Sequence, residues 1–203
     1  MIIWSVTSRK LLMVAALAMS LLPAAHADPA PSVVRIGLLT PLVTISPEEG
    51  LRQGLAELGY VEGRTLIIER RRAESNDDLQ TAAADLVRSK VNLIVALSTP
   101  AARAALAETA TIPVVYVSGD PVGTGLAASL AHPGANASGL STLSTELMAK
   151  RLEFLQQVAP GVRRVILLGN PSSPLQAGVL KETRKAGETL HIQIVAVDAR
   201  NAK

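Results

Sequence analysis

The sequence predicts an α/β fold built on a doubly wound parallel sheet. Apolar, β-branched runs typical of buried strands alternate with amphipathic helical patterns, at intervals of roughly 30 residues. Glycine, proline, serine or asparagine follows most of the strand-like runs, and these residues favour loops. Parallel strands joined by helices through right-handed crossovers satisfy this order, so helices are expected on both faces of the sheet.

Three strand–helix units are predicted in the first half of the chain. Their strands are residues 33–39, 65–72 and 91–97, and the last is nearly all apolar, which indicates a central position in the sheet. The first helix carries Leu51, Leu55 and Leu58 on one face. The third helix is predicted to begin with Thr99 as its cap and Pro100 in its first turn.

A fourth strand leads into the most glycine-rich loop of the chain, Gly119-Asp-Pro-Val-Gly-Thr-Gly125. Asp120 follows this strand directly, at the position where open parallel sheets bind their ligands. A short helix is predicted over residues 126–130 and a short fifth strand over residues 137–141.

The same unit starts again near Thr145. A helix over residues 145–158 carries Met148, Leu152 and Leu155 as its apolar positions, and it precedes a strand, a helix and a last strand. Two parallel strands with two helices do not enclose a core, because each strand lacks one neighbour. The prediction is therefore a first lobe over residues 28–142 and a partial second lobe over residues 143–203.

The first 27 residues have the features of a secretory signal peptide. Arg9 and Lys10 precede an apolar run, and Ala25-His-Ala27 supplies small residues for cleavage after Ala27. The run is shorter than the ~20 residues of a membrane span, so an uncleaved anchor is the less favoured alternative. Cleavage predicts a periplasmic protein, and the absence of cysteine excludes both disulfides and lipid attachment.

Composition and charge exclude several classes of function. Loss of the leader changes the formal charge from +3 to +1, which gives no electrostatic basis for binding nucleic acid or a membrane surface. His132 and His191 are distant in sequence, and no complete nucleophile elbow or nucleotide loop occurs. We expect a binding protein rather than an enzyme, without catalytic residues, metal or cofactor.

Four segments carry a resemblance to a known family, and one of them is the glycine-rich loop. The segments are residues 50–64, 112–116, 119–126 and 150–155. They resemble the substrate-binding proteins of bacterial ABC importers, in particular those for tryptophan or tyrosine uptake. The resemblance implies a periplasmic-binding-protein type I fold, with a complete first lobe and a partial second lobe closing over a ligand. It also implies an ABC permease as partner and a monomeric protein.

Polar residues at strand ends form the predicted ligand site. The hydroxyls of Ser98 and Thr99, with backbone N–H groups of the helix that follows, suit a ligand carboxylate. Asp120 suits an amine through a charge-assisted hydrogen bond, and Asn170 contributes an amide from the opposing lobe. Helix capping is the alternative role of Ser98 and Thr99, and a turn is that of Thr40. The predicted ligand-binding residues are Thr40, Ser98, Thr99, Ser118, Asp120 and Asn170.

Aromatic residues are scarce beyond the leader, where only Tyr60, Tyr116 and Phe154 occur. Tyr60 and Phe154 are expected to pack in the interior, and Tyr116 lies in a strand. A small amino acid or another compact polar solute is therefore expected at least as much as tryptophan. The expected function is solute capture for an ABC importer. The alternatives are a sensing domain that acts with a membrane receptor and a truncated paralogue without function.

Overall fold

Two parallel sheets and five helices make up the part of the chain that the structure, a computed structural model, describes. That part comprises residues 33–41 and 48–199. The signal peptide predicted for residues 1–27 lies outside it.

Five parallel strands form the large sheet, in the order β2-β1-β3-β4-β5. Because β3 is apolar towards both faces, it occupies the central position, as predicted. The strands are β1 (Val34–Pro41), β2 (Leu66–Ala73), β3 (Leu93–Ala96), β4 (Val114–Ser118) and β5 (Ala137–Ser141).

Helices cover both faces of the large sheet, which confirms the doubly wound arrangement. Helices α2 (Asn76–Arg88) and α3 (Thr99–Glu108) lie on the face that buries Leu39 and Ile94. Helix α1 (Glu48–Glu57) lies on the opposite face, where it packs near Leu38. Neighbouring strand residues thus point into different cores, because side chains alternate between the two faces of a strand.

The starts of α2 and α3 are fixed by serine caps. At α2, Ser75 Oγ accepts the N–H of Asp78 at 3.1 Å and the Asp78 carboxylate accepts the N–H of Ser75, which completes a capping box. At α3, Ser98 Oγ accepts the N–H of Ala101 at 3.1 Å. The prediction of Thr99 as the cap is wrong, since Ser98 keeps the extended backbone of a capping residue and Thr99 is already helical.

Two local predictions in the large-sheet region are also wrong. Leu58 is 75% exposed, because α1 ends at Glu57 and the chain turns at Gly59, where φ is +87°. Residues 126–130 form no helix, since the N–H groups of Leu126 and Ala127 both donate to the carbonyl of Pro121. Those two bonds close a turn around Gly125 instead of starting an i→i−4 ladder.

The small sheet consists of two parallel strands, β6 (Arg164–Gly169) and β7 (Gln193–Asp198). Helix α4 (Met148–Val158) precedes it, and α5 (Gln176–Leu190) connects its strands and packs against α4 and β7. None of the helices in the described part of the chain combines the length and the hydropathy that crossing a lipid bilayer requires.

Candidate functional site

A cleft of about 270 Å³ opens where three strands of the large sheet end. Its walls come from the turn after β3, the end of β4, the residues after β5 and the loop between β6 and α5. We name it the strand-end cleft. Six of its lining residues carry hydroxyl groups. The lining is Ser98, Thr99, Pro100, Val117, Ser118, Gly119, Thr142, Ser144, Ser173, Pro174 and Leu175.

A buried hydroxyl pair forms the floor of this cleft. Thr99 Oγ1 and Ser118 Oγ are 2.8 Å apart, and the two residues are only 3% and 2% exposed. The carbonyl of Ser118 accepts the N–H of Thr142 at 2.9 Å. Ser118 therefore joins the start of α3, the end of β4 and the segment after β5, and these contacts hold the hydroxyl groups in fixed positions.

The start of α3 offers fewer N–H donors than the sequence suggests. The N–H of Ala101 is taken by Ser98 Oγ, that of Ala102 is taken by the carbonyl of Ser98, and Pro100 has no N–H. Hydroxyl groups are thus the main polar feature of the cleft wall.

A second hydroxyl pair lies across the cleft and was not singled out by the sequence analysis. Thr142 Oγ1 and Ser144 Oγ are 2.8 Å apart, and the N–H of Ser144 donates to the carbonyl of Gly119 at 2.7 Å. Their position beyond β5 was the available signal, because that strand also ends at this edge of the sheet. A Cβ on Gly119 would lie 2.5 Å from Leu175 Cδ1, so the end of β4 and the residue that precedes α5 are in close contact here.

Asp120 shapes its own loop and is not among the residues that line the strand-end cleft. Its Oδ1 accepts the N–H of Gly123 at 2.6 Å, and its carbonyl accepts the N–H of Thr124 at 3.1 Å. Its other carboxylate oxygen faces α5, where a Cβ on Gly178 would lie 3.9 Å from it. The carboxylate thus closes an Asx-type turn at the end of β4.

Thr40 and Asn170 also lie outside this lining. Thr40 is 4% exposed within β1. Asn170 Oδ1 accepts the N–H of Ser172 at 2.9 Å, which shapes the loop that carries Ser173 into the cleft.

Of the six predicted ligand-binding residues, the structure brings Ser98, Thr99 and Ser118 together. Ligand contacts by Thr40, Asp120 and Asn170 stay predictions.

One buried polar atom near the cleft has no hydrogen bond. Thr145 is 6% exposed, and its Oγ1 has no partner in the part of the chain that the structure describes. It lies beside Gly178 of α5, on the same side as the Asp120 carboxylate. Such an atom costs stability, because the hydroxyl has lost water without gaining a partner.

Charged and aromatic side chains are missing from the described lining of the strand-end cleft. Tyr116 is 2% exposed in the core, and this burial raises the pKa of its phenol. Tyr60 and Phe154 are 41% and 54% exposed, so the expectation that they pack in the interior is wrong. The described residues also hold no cluster of acidic or histidine side chains suited to a metal ion.

Comparison with known proteins finds relatives over most of the chain. Residues 44–203 match the family described as ABC transporter substrate binding protein. A tyrosine-binding protein from Clostridioides difficile (strain R20291) is 33% identical over 127 residues, which are 62% of this chain and 36% of that protein. The chain therefore spans about a third of the length of this curated relative.

Solved structures share the fold. A conserved domain protein from Vibrio cholerae O1 biovar El Tor superposes with a TM-score of 0.78 at 26% identity, over 83% of this chain and 58% of that chain. An ABC domain in complex with L-Trp from Streptococcus pneumoniae gives a TM-score of 0.76 at 24% identity, with the same two coverages.

These relatives confirm the predicted periplasmic-binding-protein type I fold. The family consists of binding proteins, which confirms that this chain is not an enzyme. Since the family match extends from residue 44 to residue 203, the chain belongs to the ABC transporter substrate binding proteins.

Proposed function

We propose that the strand-end cleft captures a small ligand with a carboxylate group, of the size of an amino acid, for an ABC importer. The observation that carries this proposal is the set of six hydroxyl-bearing residues around one cleft, among them the fixed Thr99–Ser118 pair. Each hydroxyl has one proton to donate, and one proton serves the mutual bond of the pair. The hydroxyl proton that is not used between Thr99 and Ser118 is available for a hydrogen bond to a ligand oxygen.

The names of the relatives support an amino acid as the class of ligand. One relative is called a tyrosine-binding protein, and another was solved with L-Trp. The absence of aromatic residues from the described lining favours a smaller side chain than tryptophan. Asp120, at the end of β4, is the candidate for the ligand's amine, since a carboxylate that accepts the Gly123 N–H with one oxygen keeps its second oxygen as an acceptor.

The proposed mechanism of ligand capture depends on two lobes, the first over residues 28–142 and the second over residues 143–203. The cleft takes most of its lining from the first segment, and Ser144, Ser173, Pro174 and Leu175 come from the second. A ligand that contacts both walls binds the closed form more tightly, and it shifts the open–closed equilibrium by that difference in affinity.

The cellular setting belongs to the same proposal. The protein acts outside the cytoplasm as a monomer, after cleavage behind Ala27 and without lipid attachment, and it delivers its ligand to a permease. Copurification with an ABC permease supports import. Copurification with a sensory receptor instead would support the alternative role in sensing.

Calorimetric titration of the purified protein with the proteinogenic amino acids and short carboxylic acids tests the binding proposal. Thr99→Val removes one hydroxyl at nearly constant volume, and it should weaken binding about 5- to 100-fold, as expected for the loss of one buried hydrogen bond. Thr81→Val changes an exposed threonine of α2 and is the matched control. Equal affinity of Thr99→Val and wild type would contradict the proposal.

A further inference from the structure

A second cavity, of about 430 Å³, adjoins the strand-end cleft. The two cavities share Pro100 and Pro174 as lining residues, so they lie side by side along the start of α3. We name the second one the Arg103 cavity, because Arg103 is the one charged side chain in its described lining. Ala104 and Ala107 complete its apolar wall.

Arg103 lies one helical turn beyond Thr99, a lining residue of the strand-end cleft. It follows Thr99 by four positions on α3, so both residues lie on one helix face, about 6 Å apart along the axis. Its guanidinium donates to the carbonyl of Thr124, which tethers the side chain. That bond uses one of the five N–H donors of a guanidinium, and the others are oriented as a planar fork.

The remaining polar groups of the Arg103 cavity are neutral. Ser172 comes from the loop between β6 and α5, and Gln80 comes from α2, where its amide donates to Glu108. No acidic side chain lines either cavity among the described residues. The lining therefore presents one positive charge, which can donate charge-assisted hydrogen bonds to an anion.

We propose that the Arg103 cavity binds a second acidic group, at the far end of a ligand whose first carboxylate sits in the strand-end cleft. This inference rests on the proposed function and narrows it to a substrate class, namely compounds with two acidic groups, such as dicarboxylates or acidic amino acids. Ser172, on the opposite wall, supplies a further donor to the same group when the two walls approach.

The test compares acids that differ only in the second charge. Dicarboxylates from succinate to pimelate and the monocarboxylates of equal chain length, together with glutamate and glutamine, are titrated into the purified protein by calorimetry. We expect a dicarboxylate of matching length to bind about five- to tenfold more tightly than its monocarboxylate. This advantage should shrink at high salt, because Arg103 is exposed to solvent.

Variants of Arg103 test whether its side chain causes the tighter binding of dicarboxylates. Arg103→Gln should reduce the ratio of dicarboxylate to monocarboxylate affinity to near one, and Arg103→Lys should restore part of it. Arg88→Gln is the matched control, because Arg88 is an exposed arginine of α2 that pairs with Asp85 outside both cavities. Since the ratio is measured within one variant, a partly unfolded sample does not alter it.

Two outcomes separate the failure of this inference from the failure of the proposed function. Equal affinity for matched acids, or a ratio that Arg103→Gln leaves unchanged, would overturn the second subsite while carboxylate binding in the strand-end cleft stands. Absence of binding by every acid and amino acid would overturn both.

Discussion

The large sheet is covered on both faces, whereas the small sheet is covered on one. In β1 the residues from Ile36 to Thr40 are all buried, and cores lie on either side of them. In β6 exposure alternates along the strand, and Ile166 and Leu168 are 61% and 66% exposed. Both strands have sequences typical of buried strands, so the pattern of residues alone does not determine burial.

The difference in burial between the two sheets comes from the number of helices that pack against each of them. The large sheet packs α2 and α3 on one face and α1 on the other, as parallel sheets generally require. In the small sheet, the register pairs Ile166 with Val195 and Leu168 with Val197 on the same face. Three of these four, Ile166, Leu168 and Val197, are exposed to solvent. A strand buries both faces only where helices are available for both.

The largest expected effect contrasts one isoleucine in each sheet. Ile94→Ala removes a side chain that is 0% exposed at the centre of the large sheet and should lower the free energy of unfolding by about 2–5 kcal/mol. Ile166→Ala, in the small sheet, should lower it by less than about 1 kcal/mol. Urea denaturation measures both changes. Similar losses for the two variants would mean that a partner covers the small sheet in solution, and the comparison would fail.

A glycine pair tests how tightly the small sheet is packed on its covered face. A Cβ on Gly187 of α5 would lie 2.6 Å from the carbonyl oxygen of Ile192, a backbone atom that cannot rotate away. Gly187→Ala should therefore lower the free energy of unfolding by about 1–3 kcal/mol.

Gly54→Ala is the control for that substitution. Gly54 lies in α1, and a Cβ there would have no neighbour within 4 Å. Because alanine favours the helix, this variant should gain about 1 kcal/mol. Thermal unfolding compares the two variants, and a stabilised Gly187→Ala would show that α5 and β7 pack more loosely than the structure indicates.

The last comparison concerns two buried threonines, for which we expect stability changes of opposite sign. Thr145 has no hydrogen-bond partner for its hydroxyl among the described residues, so Thr145→Val should raise the free energy of unfolding by about 1 kcal/mol. Thr99→Val should lower it by about 1–3 kcal/mol, because it leaves Ser118 without its bond at the end of β4. Urea denaturation shows whether each variant has a higher or a lower free energy of unfolding than the wild type. A destabilised Thr145→Val would indicate that a water or ligand oxygen satisfies this hydroxyl.

Part of the candidate site was predictable from order along the chain. Ser98, Thr99 and Ser118 come directly after β3 and β4, and the ends of neighbouring parallel strands meet at one edge of a sheet. Asp120 and Asn170 follow strands in the same way, but they do not line the cleft, and their side chains bond to N–H groups two or three residues further on. Short polar side chains compete for nearby backbone groups, and sequence position does not show which bond prevails.

The sequence by itself determined the strand–helix alternation and the central place of β3, because local periodicity and turn residues encode them, and its resemblance to a known family indicated the binding fold. Only the tertiary structure decided that Thr142 and Ser144 share the cleft with Thr99 and Ser118, and that Arg103 lies beside it. Those features join residues distant in sequence. Their positions follow from the packing of α3 and α5 around the strand ends, which local sequence patterns do not specify.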